Sequence, residues 1–438
     1  MKKPTPLSAR LLKPLISDSL YRNAVFLILS TVTIGLLGFL FWLIGTHLYS
    51  PQKVGLAATL VSVGTIIAEL SLLGFNNTFI KYLPLSKLRN TQINTGLVVT
   101  TVAALVFSIT YLLIASSVTP VFAMMSTTFR KVLFIVFVVS TSLNLVLESI
   151  FIAYRATVYI VIKNGVLGVT KLLLPALLVF LGAYGIVLSI TSATCVAVLI
   201  SLWFLMRKFE YALRPRLHRE TLTRFAWTSA TTYVANLFLT APALLLPIII
   251  TVQLGPRSAA FFYIDLMFAN ILYIIPMSVS QSLFAEGAHE PDRIKERLIG
   301  SARAVLVLLT PTAVVFVLAG RTMLSLYGVE YAAQGMTLFY FLVAASVFLA
   351  ASHIGSTMLI LHRKLKLFVG IAFATLALVV GTTYLCLPLG LYGVGLAWLC
   401  SYAFIAALYV AVLYRIVQLP LRVASGRSDA GNRDGLEG

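Results

Sequence analysis

Charged residues are scarce in this sequence. Only 11% of its 438 residues are charged, and Asp and Glu together number 14. Hydrophobic residues make up 60% of the chain, and the mean hydropathy is +0.98. A soluble protein of this length needs much more polar surface. The composition therefore excludes an ordinary soluble class and indicates a chain surrounded by lipid.

Residues that hold metals or form disulfides are also few. The three cysteines (Cys195, Cys386 and Cys400) and the five histidines are scattered, with no Cys-x-x-Cys or His/Cys spacing. We therefore expect no disulfide framework, no metal site and no cofactor. Nucleophile-elbow, P-loop and HExxH motifs are missing as well, so we expect no catalytic residues and no enzymatic activity.

Apolar runs of about 20 residues, the length that crosses a bilayer, recur along the chain. They predict an all-α, polytopic membrane protein of about twelve spans in two sets of six. The first set is expected near residues 24–48, 54–79, 93–115, 132–154, 157–181 and 185–206. The second set is expected near residues 228–253, 258–284, 300–320, 333–360, 366–388 and 392–414.

Lys and Arg are distributed unevenly over the breaks between these runs. If the N-terminus is cytoplasmic, 26 of the 33 basic residues lie in cytoplasmic segments and five in outer segments. Because cytoplasmic loops retain positive charge, we expect a multi-pass protein of the inner (cytoplasmic) membrane with both termini in the cytoplasm. Basic residues that set the orientation in the membrane and attract anionic lipid headgroups explain the net charge of +19. We therefore expect no nucleic-acid partner.

Two similar segments indicate an internal repeat. LGAYGIVLS at 181–189 and LGLYGVGLA at 389–397 lie 208 residues apart, and the same separation relates Arg155 to Arg363. We expect two six-helix lobes related by a pseudo-twofold axis along the membrane normal. The expected domains are an N-terminal lobe (1–206), a basic cytoplasmic connector (207–227), a C-terminal lobe (228–415) and a disordered cytoplasmic tail (416–438).

The first 85 residues carry a more specific pattern. It comprises Arg22-Asn23-Ala24, Tyr49-Ser50 through Val54-Gly55, and Leu73-Gly74-Phe75 leading into Phe79-Ile80-Lys81-Tyr82-Leu83-Pro84. In these residues the chain resembles the polysaccharide-synthesis, O-antigen-type flippases of the multidrug/oligosaccharidyl-lipid/polysaccharide exporter (MOP) superfamily. The resemblance implies a V-shaped, MATE-like pair of lobes around a cavity that opens alternately to each side. It also implies transport of a lipid-pyrophosphate-linked oligosaccharide to the outer leaflet.

Five ionisable residues fall inside predicted spans, where a charge costs at least about 2.5–3.5 kcal/mol. Glu148 and Lys163 lie at the same depth in neighbouring spans, which predicts an ion pair between them. Lys171 and Asp265 lie at a similar depth in different lobes, which indicates an outer gate. Alternatively, Lys171 binds the substrate pyrophosphate or has a partner in its own lobe. Glu69 is a candidate for proton or sodium coupling.

Three cations at the predicted cytoplasmic ends, Arg22, Lys81 and Arg155, could meet a phosphate-bearing lipid or act as membrane anchors. The expected substrate-binding residues are therefore Lys171, Lys163, Arg22, Lys81 and Arg155. The expected coupling or gate residues are Glu69, Asp265 and Glu148.

Two other functions compete with a flippase. One is a cation-coupled multidrug antiporter of the same fold. The other, a membrane glycosyltransferase or polymerase, is disfavoured because the longest outer loop, near residues 115–131, contains no Asp or Glu.

Overall fold

The computed structural model describes residues 19–118, 127–214, 218, 230–289 and 293–416, and all regular elements in these ranges are helical. The helices of the first half are α1 (Ser19–Leu48), α2 (Pro51–Ser71), α3 (Phe75–Tyr82), α4 (Arg89–Val118), α5 (Thr128–Ala153), α6 (Val158–Leu177) and α7 (Ala183–Lys208). Those of the second half are α8 (Ala230–Leu254), α9 (Pro256–His289), α10 (Ile294–Ser325), α11 (Val329–Leu361), α12 (Leu365–Cys386) and α13 (Gly390–Ile416).

The expected twelve spans are present. Eleven apolar segments in the described ranges are long enough to cross a membrane, and the last, Leu365–Arg415, contains both α12 and α13. Only α3, with eight residues, is too short. The even number of spans places the start of α1 and the end of α13 on the same side, which we call the termini side. We call the other side the far side.

One expected span differs from its prediction. The sequence predicted a single helix over 54–79, but α2 ends at Ser71 and α3 begins at Phe75. The backbone between them has positive φ at Leu73 (48°) and Gly74 (82°), which interrupts the helical hydrogen bonds. The corresponding helix of the second half, α9, runs unbroken for 34 residues. The break is therefore a feature of the first half alone.

The internal repeat has the same geometry in both halves. Gly182 and Gly390 each follow a single 3₁₀ turn and have φ values of 59° and 67°. Three residues later, Gly185 and Gly393 approach the carbonyl groups of Leu178 and Cys386 so closely that a side chain would clash. Both glycine pairs are thus required by backbone conformation and close contact.

Arg155 and Arg363, the other pair of residues related by the repeat, also have the same backbone conformation. Arg155 and Arg363 are left-handed residues, with φ of 52° and 57°, that follow α5 and α11. In each turn the next residue donates its N–H to a carbonyl five positions earlier, as in a Schellman motif. The 208-residue separation therefore marks equivalent positions in two structurally similar lobes.

The lobes pack against each other mainly through α2, which contacts α8 and α9. Within the first lobe, α1 packs on α6, and α7 packs on α5 and α6. Within the second, α11 lies at the centre and contacts α9, α10 and α13. Because α2 is the common neighbour of both lobes, its two ends determine how the lobes meet on each side of the membrane.

The start of the expected connector belongs to the first lobe. Asn94 of α4 donates to the Ala212 carbonyl at 3.0 Å and accepts hydrogen bonds from the Tyr211 hydroxyl and the Arg214 N–H. Burial raises the pKa of Tyr211 to about 12, so its hydroxyl stays a donor at neutral pH. Residues 215–217 and 219–229, the rest of the connector except His218, lie outside the described ranges, as does the expected tail from 417 onward.

Candidate functional site

On the far side, the lobes form a tight backbone contact. A Cβ on Gly55 of α2 would lie 2.6 Å from the Pro256 carbonyl carbon, closer still to its oxygen, and 2.9 Å from the Ala260 nitrogen. One turn further along α2, the Thr59 hydroxyl hydrogen-bonds to the Thr251 hydroxyl and to the Pro247 carbonyl, at 3.3 Å for the latter. We call this contact the far-side seal.

Aromatic residues extend the closure between α1 and the second lobe. The Phe39 ring lies 5.5 Å from Phe268 and 5.3 Å from Tyr327, edge to face in both cases. Tyr327 also donates its hydroxyl to the Phe39 carbonyl at 3.0 Å, and Trp42 lies 4.7 Å from Tyr263. Such aromatic pairs exclude water and contribute beyond their buried area. The far side is therefore closed in this conformation.

Toward the termini side, a cavity of about 250 Å³ with polar and apolar lining residues lies between the lobes. The first lobe contributes the ends of α2 and α5 and the start of α3, and the second lobe contributes α8. The polar side chains of the lining are Glu69, Asn76, Asn77, Glu148, Ser149, Tyr233, Asn236 and Thr240. Among the described residues, no Lys or Arg lines it. We call it the inter-lobe cavity.

Glu69 joins the two lobes at this cavity. Its Oε2 accepts a hydrogen bond from Thr240 at 3.1 Å, and its backbone carbonyl accepts one from the Tyr233 hydroxyl at 2.7 Å. Tyr233 also donates to the Leu70 carbonyl at 3.1 Å. These carbonyls lie at the interrupted end of α2, where they also accept backbone bonds of the last turn, from the Leu72 N–H at 3.2 Å and the Leu73 N–H at 3.4 Å. The end of α2 is thus bonded both within its own turn and to α8.

The ion pair predicted between Glu148 and Lys163 is confirmed. Lys163 is fully buried, and its Nζ lies 2.9 Å from Glu148 Oε2 and 2.8 Å from Asn144 Oδ1. Glu148 is about one-third exposed, at 32%, and faces the inter-lobe cavity. Lys163 therefore lies behind the cavity wall and neutralises Glu148, which leaves Glu69 as the unpaired carboxylate of the lining.

Lys171 and Asp265 are not brought together. Within the described ranges the ion pairs are Lys163–Glu148, Arg257–Glu330 and Arg297–Glu286. Lys171 instead lies over the Phe41 ring of α1, with Nζ 5.5 Å from the ring centroid. Asp265 is fully buried against Gly335 of α11, and neither carboxyl oxygen has a hydrogen-bond partner in the part of the chain that the structure describes. Each residue faces its own lobe.

The three expected termini-side cations occupy helix ends. Lys81 is exposed at the end of α3, with Nζ 5.1 Å from the Tyr82 ring centroid. Arg155 is exposed in the turn after α5. The backbone of Arg22 belongs to α1, but its side chain lies outside the described part.

The neutral polar residues of the inter-lobe cavity were missed from the sequence. Asn76, Asn77, Asn236, Tyr233 and Thr240 carry no charge, so a search for intramembrane charges passes over them. A usable signal existed, since carboxamides inside apolar runs also need hydrogen-bond partners in lipid. The Oδ1 atom of Asn76 is buried and has no hydrogen-bond partner among the described residues.

The fold is that of the MATE transporters. An inward-facing MATE family multidrug transporter of the MOP superfamily aligns with a TM-score of 0.69 over 90% of this chain and 98% of that chain, at 16% identity. An outward-facing conformation of such a transporter aligns with a TM-score of 0.59 over 92% of this chain and 97% of that chain, at 13% identity.

A third similar structure is a MOP superfamily transporter from Pyrococcus furiosus, described as having a binding pocket of reverse polarity that suggests a different function. It aligns with a TM-score of 0.56 over 95% of this chain and 99% of that chain, at 13% identity. No protein-family model matches the sequence, and no curated protein matches it either.

Proposed function

We propose that this protein is an alternating-access transporter and that the structure represents its inward-facing state. The observation that carries the proposal is the contrast between the two ends of α2. At one end the far-side seal closes the lobes, and at the other the inter-lobe cavity separates them. The higher TM-score with an inward-facing MATE transporter, 0.69 against 0.59, supports the same assignment.

The termini side is proposed to be cytoplasmic and the membrane to be the cytoplasmic one. Because 26 of the 33 basic residues lie in segments on the termini side, the positive-inside rule supports this orientation. The moving units are proposed to be the lobes 1–206 and 228–415, joined by the connector 207–227.

The proposed substrate is a lipid-pyrophosphate-linked oligosaccharide, which the protein moves between leaflets without covalent chemistry. The carboxamides of Asn76, Asn77 and Asn236 offer donors and acceptors to sugar hydroxyl groups. The phosphates of such a substrate carry charge and stay near the membrane surface. Exposed Lys81 and Arg155, together with Arg22, are proposed to meet them there.

Glu69 is the proposed coupling site for a proton or Na⁺. It is the cavity carboxylate without an ion pair in the described ranges, and it bonds to Thr240 of the other lobe. A cation that binds Glu69 competes with this contact and so changes the balance between lobe arrangements. Asp265 and Lys171 are proposed to act within their own lobes.

A cation-coupled multidrug antiporter is a second candidate, and one observation favours it. In the part of the chain that the structure describes, the cavity lining contains two carboxylates and no Lys or Arg, which suits a cationic organic substrate. The expected cationic contribution of Lys163 to this cavity does not arise, because Lys163 is buried behind Glu148. The two functions therefore have to be separated by substrate.

The test is transport by the full chain in liposomes. A polyprenyl-diphosphate-linked oligosaccharide with a fluorophore on the sugar is followed by its access to an impermeant quencher. We expect faster exchange between leaflets than in empty liposomes. Glu69→Gln should lose this activity, whereas the exposed-site control Glu296→Gln should retain it.

Two outcomes contradict the flippase. If the folded protein leaves the exchange rate of the labelled lipid unchanged but exports a cationic dye in a proton or sodium gradient, it is the antiporter. If Glu69→Gln flips the lipid at the wild-type rate with normal abundance, the assignment of this carboxylate is wrong.

A further inference from the structure

A second and larger cavity lies at the termini-side surface of the first lobe, away from the inter-lobe cavity. Its volume is about 940 Å³, and it is lined by the loop before α4, the turn after α5 and the end of α7. Three cations line it, Lys87, Arg89 and Lys208, against one carboxylate, Glu210. None of the three cations forms an ion pair within the described ranges.

The base of this surface cavity is ordered by aromatic stacking. The rings of Tyr154 and Phe209 are nearly parallel, at 14°, with centroids 4.8 Å apart. The Arg89 guanidinium lies 5.9 Å from the Tyr154 centroid. It donates to the carbonyls of Pro84 at 2.9 Å and Ser86 at 3.2 Å. Since a guanidinium has five N–H donors, these two bonds fix its position and leave donors for a ligand.

Basic residues at this side of the membrane are expected from orientation alone, so the second lobe provides a comparison. A second-lobe cavity on the same side, between the end of α9 and the start of α10, has a volume of about 540 Å³. Arg297 and Arg303 line it together with Glu286 and Glu296, and Arg297 is paired with Glu286 at 3.0 Å. The charges there cancel. Uncompensated positive charge is therefore not shared by both of these termini-side cavities.

We propose that the first-lobe surface cavity binds a phosphate-bearing anion through Lys87, Arg89 and Lys208. The planar guanidinium suits two phosphate oxygens, and the two ammonium groups add charge from separate segments. At the ends of three spans, the cavity is level with lipid headgroups, so a phospholipid of the adjoining leaflet is one source of this chemistry. A free phosphate compound is the other. The site does not depend on the transported substrate.

The test uses the purified full chain and a matched pair of variants. The site variant is Lys87→Gln/Lys208→Gln, which leaves the loop contacts of Arg89 in place. The control variant is Arg207→Gln/Lys366→Gln, which removes the same charge from exposed residues that do not line the cavity. Native mass spectrometry measures retained phosphatidylglycerol against phosphatidylcholine, and phosphorus NMR measures binding of inorganic phosphate in lipid-free detergent.

We expect the wild type and the control variant to retain phosphatidylglycerol. The site variant should bind it at least about tenfold more weakly, because each cation near the membrane surface raises the affinity for anionic lipid about fivefold. Binding of inorganic phosphate alone, lost in the site variant only, identifies a soluble ligand for the same site. If site and control variants lose phosphatidylglycerol equally, or wild type binds neither probe, the proposal is wrong. Circular dichroism checks that both variants are folded.

Discussion

The far-side seal allows a sharp test of the two-lobe movement, because one position in it has no room for a methyl group. A Cβ at residue 55 would lie 2.6 Å from the Pro256 carbonyl carbon and 2.9 Å from the Ala260 nitrogen. All of these neighbours are backbone atoms of the other lobe and cannot rotate away. Gly55→Ala is therefore expected to open the seal while leaving each lobe intact.

The size of the effect follows from the contact distances. Non-bonded carbon atoms pack at about 3.5–4.0 Å, so the lobes must separate at this point by about 1 Å or more. Overpacking of this kind costs about 1–3 kcal/mol. That energy corresponds to a shift of about 5- to 150-fold in the ratio of closed to open far-side states.

Electron paramagnetic resonance measures this shift directly. With the three native cysteines replaced by serine, spin labels at Gln52 and Val329, both exposed on the far side, report the distance between the lobes. Gly55→Ala should add a population at longer distance. Gly381→Ala is the control, because a Cβ at this glycine meets no atom within 4 Å. An unchanged distance distribution in Gly55→Ala, with the protein folded, would refute the reasoning.

Three further changes test separate contacts. Lys163→Met should destabilise the protein by about 1–3 kcal/mol, because it leaves the partly exposed Glu148 without its partner. Lys163→Met/Glu148→Met should be milder, and thermal unfolding of both variants checks this. Tyr233→Phe should lower the free energy of unfolding by about 0.5–1.5 kcal/mol, because it removes the hydrogen bonds between α8 and the end of α2. Amide hydrogen exchange should then be faster over residues 69–74. Gly185→Ala and Gly393→Ala should each lower the unfolding temperature more than Gly370→Ala, which has open space around it; equal effects would contradict the close contacts.

Much of this architecture could be predicted because lipid leaves the backbone few choices. Each apolar run must satisfy its own N–H and C=O groups, so it forms a helix whose length is that of the run. Span count and depth follow directly. The Glu148–Lys163 pair could be predicted for the same reason, since the two residues lie at equal depth on helices joined by a short turn.

The rest depends on the rotation of each helix, which depth does not determine. Lys171 and Asp265 lie at similar depths, yet packing turns Asp265 toward Gly335 of α11 and Lys171 toward Phe41 of α1. The break in α2 was missed because an isolated glycine is usually tolerated within a helix. What interrupts the helix is the pair Leu73 and Gly74, and leucine gives no warning of a positive φ.

This break distinguishes the lobes functionally, although their turns are alike. In the second lobe, α9 continues through the corresponding region, so its backbone groups remain bonded within the helix. In the first lobe, the carbonyls of Glu69 and Leu70 at the interruption accept hydrogen bonds from Tyr233, and α3 starts with Asn76 and Asn77 at the inter-lobe cavity. Interrupted helices commonly form binding sites in transporters. The first lobe thus supplies most of the polar side chains of the cavity lining, and the second lobe supplies the facing wall, α8.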